Sequence, residues 1–265
     1  MTHFINICSF IPATKIKDNI SKKYDNCHVL SIFTQCQKIG MSKCEQCIIR
    51  QFNSLKSLTN KELIRITSLK TLKIVKKGDV IFEEGEMLNG VYCVRKGICK
   101  LTKLSANGKD QIIKLVEKGE LLGQRSVVSD ERTNLRATAL KDMELCFIPK
   151  NEIINDLTKN SEFTFDVLKT MAHDLKEADD VIVNMAQKSV RHRLAETLIN
   201  IHKNFGTNPD GTLSVLLSRE DFASIVGTAT ESAIRVLSQF KKEGLISTIG
   251  KQIKIEDLEG LTRIE

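Results

Sequence analysis

Between Ser218 and Lys242 the sequence leaves little conformational choice. Ser218-Arg-Glu-Asp221 offers a hydroxyl to cap a helix end and acid in its first turn. Phe222, Ala223 and Val226 follow as an apolar stripe, and Gly227 ends the run. Thr228-Ala-Thr-Glu231 matches a capping box and opens a second helix. There Ala233, Ile234, Leu237 and Phe240 are expected inside, with Ser232, Arg235, Gln239 and Lys242 outside. Two capped helices about a glycine turn make a helix-turn-helix. Upstream, Arg191 to His202 reads as another helix with Leu194, Ala195, Leu198 and Ile199 on one face, then a loop and a short strand, Ser214-Val-Leu-Leu217. Downstream, Gly244-Leu-Ile-Ser-Thr248 and Gln252-Ile-Lys-Ile255 alternate about Ile249-Gly250-Lys251, which predicts a two-stranded wing.

The pattern differs from Leu69 to Pro149. Short aliphatic runs are punctuated by Gly78, Gly85, Gly97, Gly108, Gly119 and Gly123, the rhythm of an all-β roll or sandwich. Asn107-Gly108, between Lys100-Leu-Thr-Lys-Leu104 and Gln111-Ile-Ile-Lys-Leu115, predicts a hairpin. After Pro149 the chain turns helical. Leu168, Leu175 and Ile182 interleave with Met171, Ala178 and Met185 at seven-residue spacing, an a/d stripe suited either to packing on the β-domain or to a two-stranded pairing of copies. The expected plan is therefore an N-terminal extension over 1–57, a β-domain over 58–160, a long helix over 161–187 and the helix-turn-helix over 188–265.

At 265 residues, with 41% hydrophobic and 28% charged residues, the chain has the material for two soluble domains, and no apolar run is long enough to cross a bilayer. Met1 to Pro12 lacks the basic start and cleavage site of a secretory signal, so a cytoplasmic protein is expected. No glycine-rich phosphate loop, nucleophile elbow or His-Glu metal helix occurs, and the reading is not that of an enzyme. The net charge of +7 suits a polyanion. With the wing and the polar outer helix face, it points to double-stranded DNA; the other reading is a metal- or ligand-binding module whose helix-turn-helix contacts protein.

From about Leu58 onward the chain resembles the Crp/Fnr family of bacterial transcription regulators. The resemblance rests on Ser218 to Ile246, including Arg-Val-Leu at 235–237 and Glu-Gly-Leu-Ile at 243–246, and on Gly78-Asp79, Phe82, Gly85, Gly97 and Gly119-Glu-Leu-Leu-Gly123. It implies an α+β fold: a β-roll of the cyclic-nucleotide-binding type, a long dimerisation helix and a C-terminal winged helix-turn-helix. It also implies a homodimer that engages RNA polymerase. By position, Glu231 and Arg235 correspond to the base-contacting pair, a carboxylate for cytosine N4 and a guanidinium for guanine O6 and N7; an intrahelical ion pair is the plainer role. Ser218, Arg219, Thr228, Thr230, Ser232, Gln239 and Lys251 complete the expected DNA contacts. Lys188, Arg191, Arg193, Arg219, Lys241, Lys242 and Lys251 are candidates for phosphate. Ile234 stands where the iron-sulfur members carry Ser.

The resemblance also frames the signal. Members that bind cyclic AMP present Gly-Glu and Arg-Ser pairs; here these are Gly123-Gln124 and Thr133-Asn134. Without that arginine a cyclic phosphate loses its bidentate partner, and only Arg136 or Arg132, in a shifted register, would replace it. Eight cysteines supply another answer. Cys44-Glu-Gln-Cys47 and Cys146 match cluster ligands of the oxygen-sensing branch, whereas that branch's third clustered cysteine falls on Asn53. Cys36 is the candidate fourth ligand, for an iron-sulfur cluster or for zinc, and Cys27 or His28 would also serve zinc. Plain buried thiols are the alternative for Cys93, Cys99 and Cys146.

Overall fold

A computed structural model describes residues 43–105 and 108–264. Cys27, His28, Cys36 and Asn107 lie outside the described residues. The described chain begins with three short 3-10 turns, Cys44–Gln46, Ile48–Phe52 and Ser54–Ser57, and enters helix α1, Asn60–Leu69. Thr59 and Glu62 form a reciprocal capping box at its start.

Eight strands follow: β1 Thr71–Val75, β2 Val80–Phe82, β3 Gly90–Lys96, β4 Cys99–Leu104, β5 Asp110–Val116, β6 Leu121–Leu122, β7 Arg136–Ala139 and β8 Met143–Pro149. A short helix α2, Gln124–Ser129, sits between β6 and β7. The strands form two antiparallel sheets, ordered β1-β8-β3-β6 and β2-β7-β4-β5. β4 pairs with β5, as the glycine turn between them predicts. Val94 and Leu145, directly opposed, are fully buried, as are Cys99 and Ala137 in the other sheet. β3 and β8 do not alternate between buried and exposed positions, because α1 and the 3-10 turns cover their second face; Leu55, Leu63 and Ile66 belong to the same core. Gly119 holds this cover close. Its φ is +99°, and a Cβ there would lie 2.7 Å from the Phe52 Cβ.

Helix α3, Lys150–Lys159, returns to the roll, where Arg65 of α1 pairs with Glu152 at 2.5 Å and with the buried Asp156. Helix α4, Ser161–Gln187, is 27 residues long, about 40 Å at helical rise. Asn160 caps it, accepting from the Phe163 amide at 3.0 Å, and Phe163 and Val167 anchor its first turns in the roll core. Beyond them the predicted stripe is open: Leu175 and Ile182 are 65% and 66% exposed. No described helix is long and apolar enough to cross a membrane.

The C-terminal part contains α5, Val190–Phe205; α6, Arg219–Val226; α7, Thr230–Lys242; β9, Ile246–Ile249; β10, Gln252–Ile255; and α8, Leu258–Thr262. Leu194, Leu198, Phe222, Phe240 and Ile253 centre a second core, and the roll contributes Ile98, Leu115 and Leu140 to it. The expected strand at Ser214–Leu217 does not form. Isolated bridges, at Thr207–Leu213 and Thr212–Lys254, stop just before this stretch. Its alternation still buries Val215 and Leu217 and leaves Leu216 outside, so packing rather than a ladder uses the pattern.

Candidate nucleic-acid interface and thiol recess

The first helix of the motif is capped as its sequence predicts. The Ser218 hydroxyl accepts from the Asp221 amide at 3.0 Å, and the Asp221 carboxylate accepts from the Ser218 amide at 2.9 Å. Gly227 closes it at φ +63°, and the Thr228 amide donates back to the Ala223 carbonyl at 3.0 Å, a Schellman closure. That bond corrects the expected capping box at Thr228. Thr228 finishes α6, Ala229 is the N-cap of α7, and no side chain caps it.

Along α7, Ala233 and Phe240 are fully buried, with Val236 and Leu237 beside them. Ile234, expected inside, is 44% exposed; Val236 takes the inner place. Glu231, Ile234, Arg235, Ser238, Gln239 and Lys242 form the open face, with Thr230 and Ser232 half-buried at its start. Glu231 and Arg235 stand one turn apart and, among the described residues, are not joined in an ion pair. The wing follows, with Ile253 registered on Thr248 and an exposed Lys251 at its turn. Acid in the first turn of α7 and Lys241 and Lys242 in its last complement the helix dipole.

The cations expected on phosphate divide into two groups. Lys241, Lys242 and Lys251 are exposed. Arg193 is turned inward instead: its guanidinium donates to the Val226, Met185 and Lys188 carbonyls at 2.9, 3.2 and 2.6 Å. It thereby ties the end of α4 to the end of α6, and the expectation of a phosphate contact there is corrected. Arg191 pairs with Glu243 at 2.5 Å and lies 4.9 Å over the Phe240 ring, and Lys188 pairs with Glu196 at 2.6 Å. Arg219 is half-buried with its Nη1 unpartnered, and burial pulls its pKa down.

The roll grips α6 directly. The Lys100 ammonium lies 2.6 Å from Asp221, the Ile112 amide donates to the Ser224 hydroxyl at 2.7 Å, and that hydroxyl donates to the Asp110 carbonyl at 2.6 Å. Gln111 donates to the Ser224 carbonyl as well.

A second site lies under the cover of the roll. Cys44 and Cys47 from the first turns, and Cys93 and Cys146 from β3 and β8, line one recess with Arg50, Lys70, Arg95, Leu63 and Ile66. Cys93 and Cys146 are register partners, so their side chains share a face. The Lys70 ammonium donates to the Cys44 sulfur at 3.1 Å, and the Thr67 hydroxyl accepts from the Cys44 amide at 2.8 Å. Burial, reinforced by Cys146, pushes the Cys93 thiol up to about 12. Burial also raises Cys146, against the pull of Lys70 and Arg95. The Nε atoms of Arg50 and Arg95 are buried without a hydrogen-bond partner. Sequence reasoning placed Cys93 among plain buried thiols. The pairing that brings it here spans 53 residues between Cys93 and Cys146 and becomes visible only in the sheet register.

At the expected effector pocket, Gly123 caps α2, whose first residue is Gln124. Arg136 is held by Glu83 at 2.6 Å and faces Asp110 at 3.8 Å; Arg132 donates to the Gly85 carbonyl at 2.9 Å. Thr133 is buried, its hydroxyl donating to the Leu135 carbonyl. Both arginines have partners within the protein, although Arg132 and the Arg136–Glu83 pair remain open to solvent.

Comparison with known proteins agrees with this architecture. Residues 72–160 match the Cyclic nucleotide-binding domain family and residues 192–264 match the Crp-like helix-turn-helix domain family. The chain is 28% identical over 225 residues to the Anaerobic regulatory protein of Haemophilus influenzae, covering 83% of this chain and 87% of the relative. It is 27% identical over 226 residues to the Fumarate and nitrate reduction regulatory protein of Escherichia coli K12, covering 83% and 89%. The solved structure of FixK2 from Bradyrhizobium japonicum superposes with a TM-score of 0.67 at 22% identity, over 74% of this chain and 98% of that one, and shares its fold. A roll and a winged helix-turn-helix joined by one long helix, matched in both halves, place the chain in the Crp/Fnr family of DNA-binding transcription regulators.

Proposed function

We propose that the chain works in the cytoplasm as a homodimer that reads a two-fold-related site in duplex DNA. The observation that carries the reading is the open face of α7, where Glu231 and Arg235 project one turn apart from an apolar seat. Glu231 accepts from cytosine N4, and Arg235 donates two bonds to guanine. Thr228, Thr230, Ser232 and Gln239 flank them, while Ser218, Arg219, Lys241, Lys242 and Lys251 set orientation on phosphates. The open stripe of α4 supports pairing of two copies, which would set two reading helices about 34 Å apart. Family resemblance adds RNA polymerase as a partner.

Selection from randomised duplexes, followed by anisotropy titrations over a range of salt, tests this. A two-fold-symmetric site and a steep fall of affinity with salt are expected. Binding without sequence preference and without salt dependence would reject it in favour of a helix-turn-helix that contacts protein.

The thiol recess is the sensing element in this reading. Its donor set fits an iron-sulfur cluster, with Cys44, Cys47 and Cys146 among the ligands and cationic side chains around them. A cluster spreads its thiolates over different irons, and cysteines drawn from the covering turns and from two strands suit that arrangement. Bound there, it would supply a redox-responsive centre between the N-terminal turns and the roll. Gln124 in the place of a glutamate and Thr133-Asn134 in the place of the arginine-serine pair, with Arg136 turned to Glu83, argue against cyclic AMP as the signal.

A further inference from the structure

We propose that Cys93 is the fourth thiolate of the recess and that it takes the place which Asn53 cannot fill. The inference rests on the reading of the recess as a cluster site and names its ligand set as Cys44, Cys47, Cys93 and Cys146.

The first support is position. Cys93 faces the recess from β3 directly beside Cys146 on β8, with Cys44 and Cys47 opposite on the covering turns. The second is contact. Asn53, six residues beyond Cys47, directs its side-chain amide at the Cys93 sulfur at 3.6 Å and at the Gly119 carbonyl at 2.8 Å. The position that lost a thiol therefore touches one supplied from elsewhere in the chain. Asn53 has a separate job, since its side-chain oxygen caps the next turn by accepting from the Leu55 amide at 3.0 Å. The third support is charge. Four thiolates and their cluster are anionic, and the recess holds Lys70 at Cys44 together with the buried, unpartnered Nε donors of Arg50 and Arg95. Sulfur in the recess gives those donors an acceptor. Cys99 is equally buried but does not line the recess, which makes it the matched control.

The test uses the full chain purified without oxygen, with iron, acid-labile sulfide and the visible spectrum measured on wild type and on the Cys93→Ser, Cys36→Ser, Cys99→Ala and Cys146→Ser variants. Thermal melts check that each variant is folded. Cys93→Ser and Cys146→Ser should retain about tenfold less iron or lower, while Cys36→Ser and Cys99→Ala stay at the wild-type level. Adding Asn53→Cys to Cys93→Ser should restore iron and sulfide, because the two positions touch; this separates loss of a ligand from loss of the fold. Full iron in Cys93→Ser, or loss in Cys36→Ser with no rescue by Asn53→Cys, overturns the assignment of Cys93. A wild-type protein free of iron and sulfide after anaerobic reconstitution removes the cluster reading itself, and the assignment with it.

Discussion

The Lys100 ammonium of the β-roll sits 2.6 Å from the Asp221 carboxylate, the residue that closes the capping box of the first helix of the DNA-reading motif. Both side chains are largely buried, so the contact is a joint between two cores rather than a surface ion pair. Burial pushes the Asp221 carboxyl up, but the Lys100 ammonium and the Ser218 amide and hydroxyl outweigh it and hold the carboxyl below its ordinary value of 3.8. A depressed carboxyl contributes stability above its unfolded value and loses that contribution as pH falls through the folded one. The joint should therefore hold at neutral pH and weaken below about pH 4. Lys100→Met should cost about 1–3 kcal/mol at pH 7 by leaving the carboxylate without its partner. Melts of wild type and variant from pH 7 to pH 3 should converge as Asp221 protonates, and a constant gap across that range would refute the assignment.

Arg235→Ala should relax base preference at one position in each half-site by about 1–3 kcal/mol, with little change in the melt because the side chain is exposed. Lys251→Ala should instead weaken all sequences alike and lower the salt slope by about one. Anisotropy titrations on a panel of single-base variants separate the two behaviours.

Leu175→Glu should disrupt pairing of copies while sparing the protomer, since Leu175 touches little within its own chain. Burying a leucine is worth about 1.5–3 kcal/mol, and a two-fold contact loses it twice. Sedimentation equilibrium should show a dimer constant weakened by about a hundredfold or more, alongside an unchanged protomer circular dichroism spectrum. Wild-type dimer affinity in the variant would direct attention to another face.

Gly227→Ala should lower stability by about 1 kcal/mol, because a Cβ at φ +63° is strained and lies 3.1 Å from the flexible Met185 sulfur. A fall in Tm of roughly 2–4 °C is the expected reading.

The parts legible in the sequence were those in which chemistry and spacing act over a few residues. Ser218, Asp221 and Gly227 announce α6 because caps and left-handed turns are local. The heptad spacing of Leu168, Leu175 and Ile182 likewise marks the open face of α4. What failed depends on phase or on distant partners. Thr228 has the spacing of a cap for α7 but finishes α6, because its own amide closes that helix, and Ile234 and Val236 flank the same stripe on opposite sides. Only the seating of α7 on α5 and α6 decides which of them is inside. Cys93 sits in a strand covered on both faces, where alternation carries no signal, and its neighbours come from three distant segments. Arg193 reads as a surface cation because nothing nearby in sequence reveals the three carbonyls that receive it.

That arginine gives the molecule a joint of unequal strengths. The reading head is fastened to the roll partly through a carboxylate that acid can neutralise, but to the stalk through a guanidinium shared among three backbone carbonyls. Acid would remove only the first of these, because the Ser224 hydrogen bonds to the roll and the shared packing of Ile98 carry no charge to lose. The joint is graded rather than switched: acid loosens one corner of the head while its neutral seams and Arg193 keep it seated.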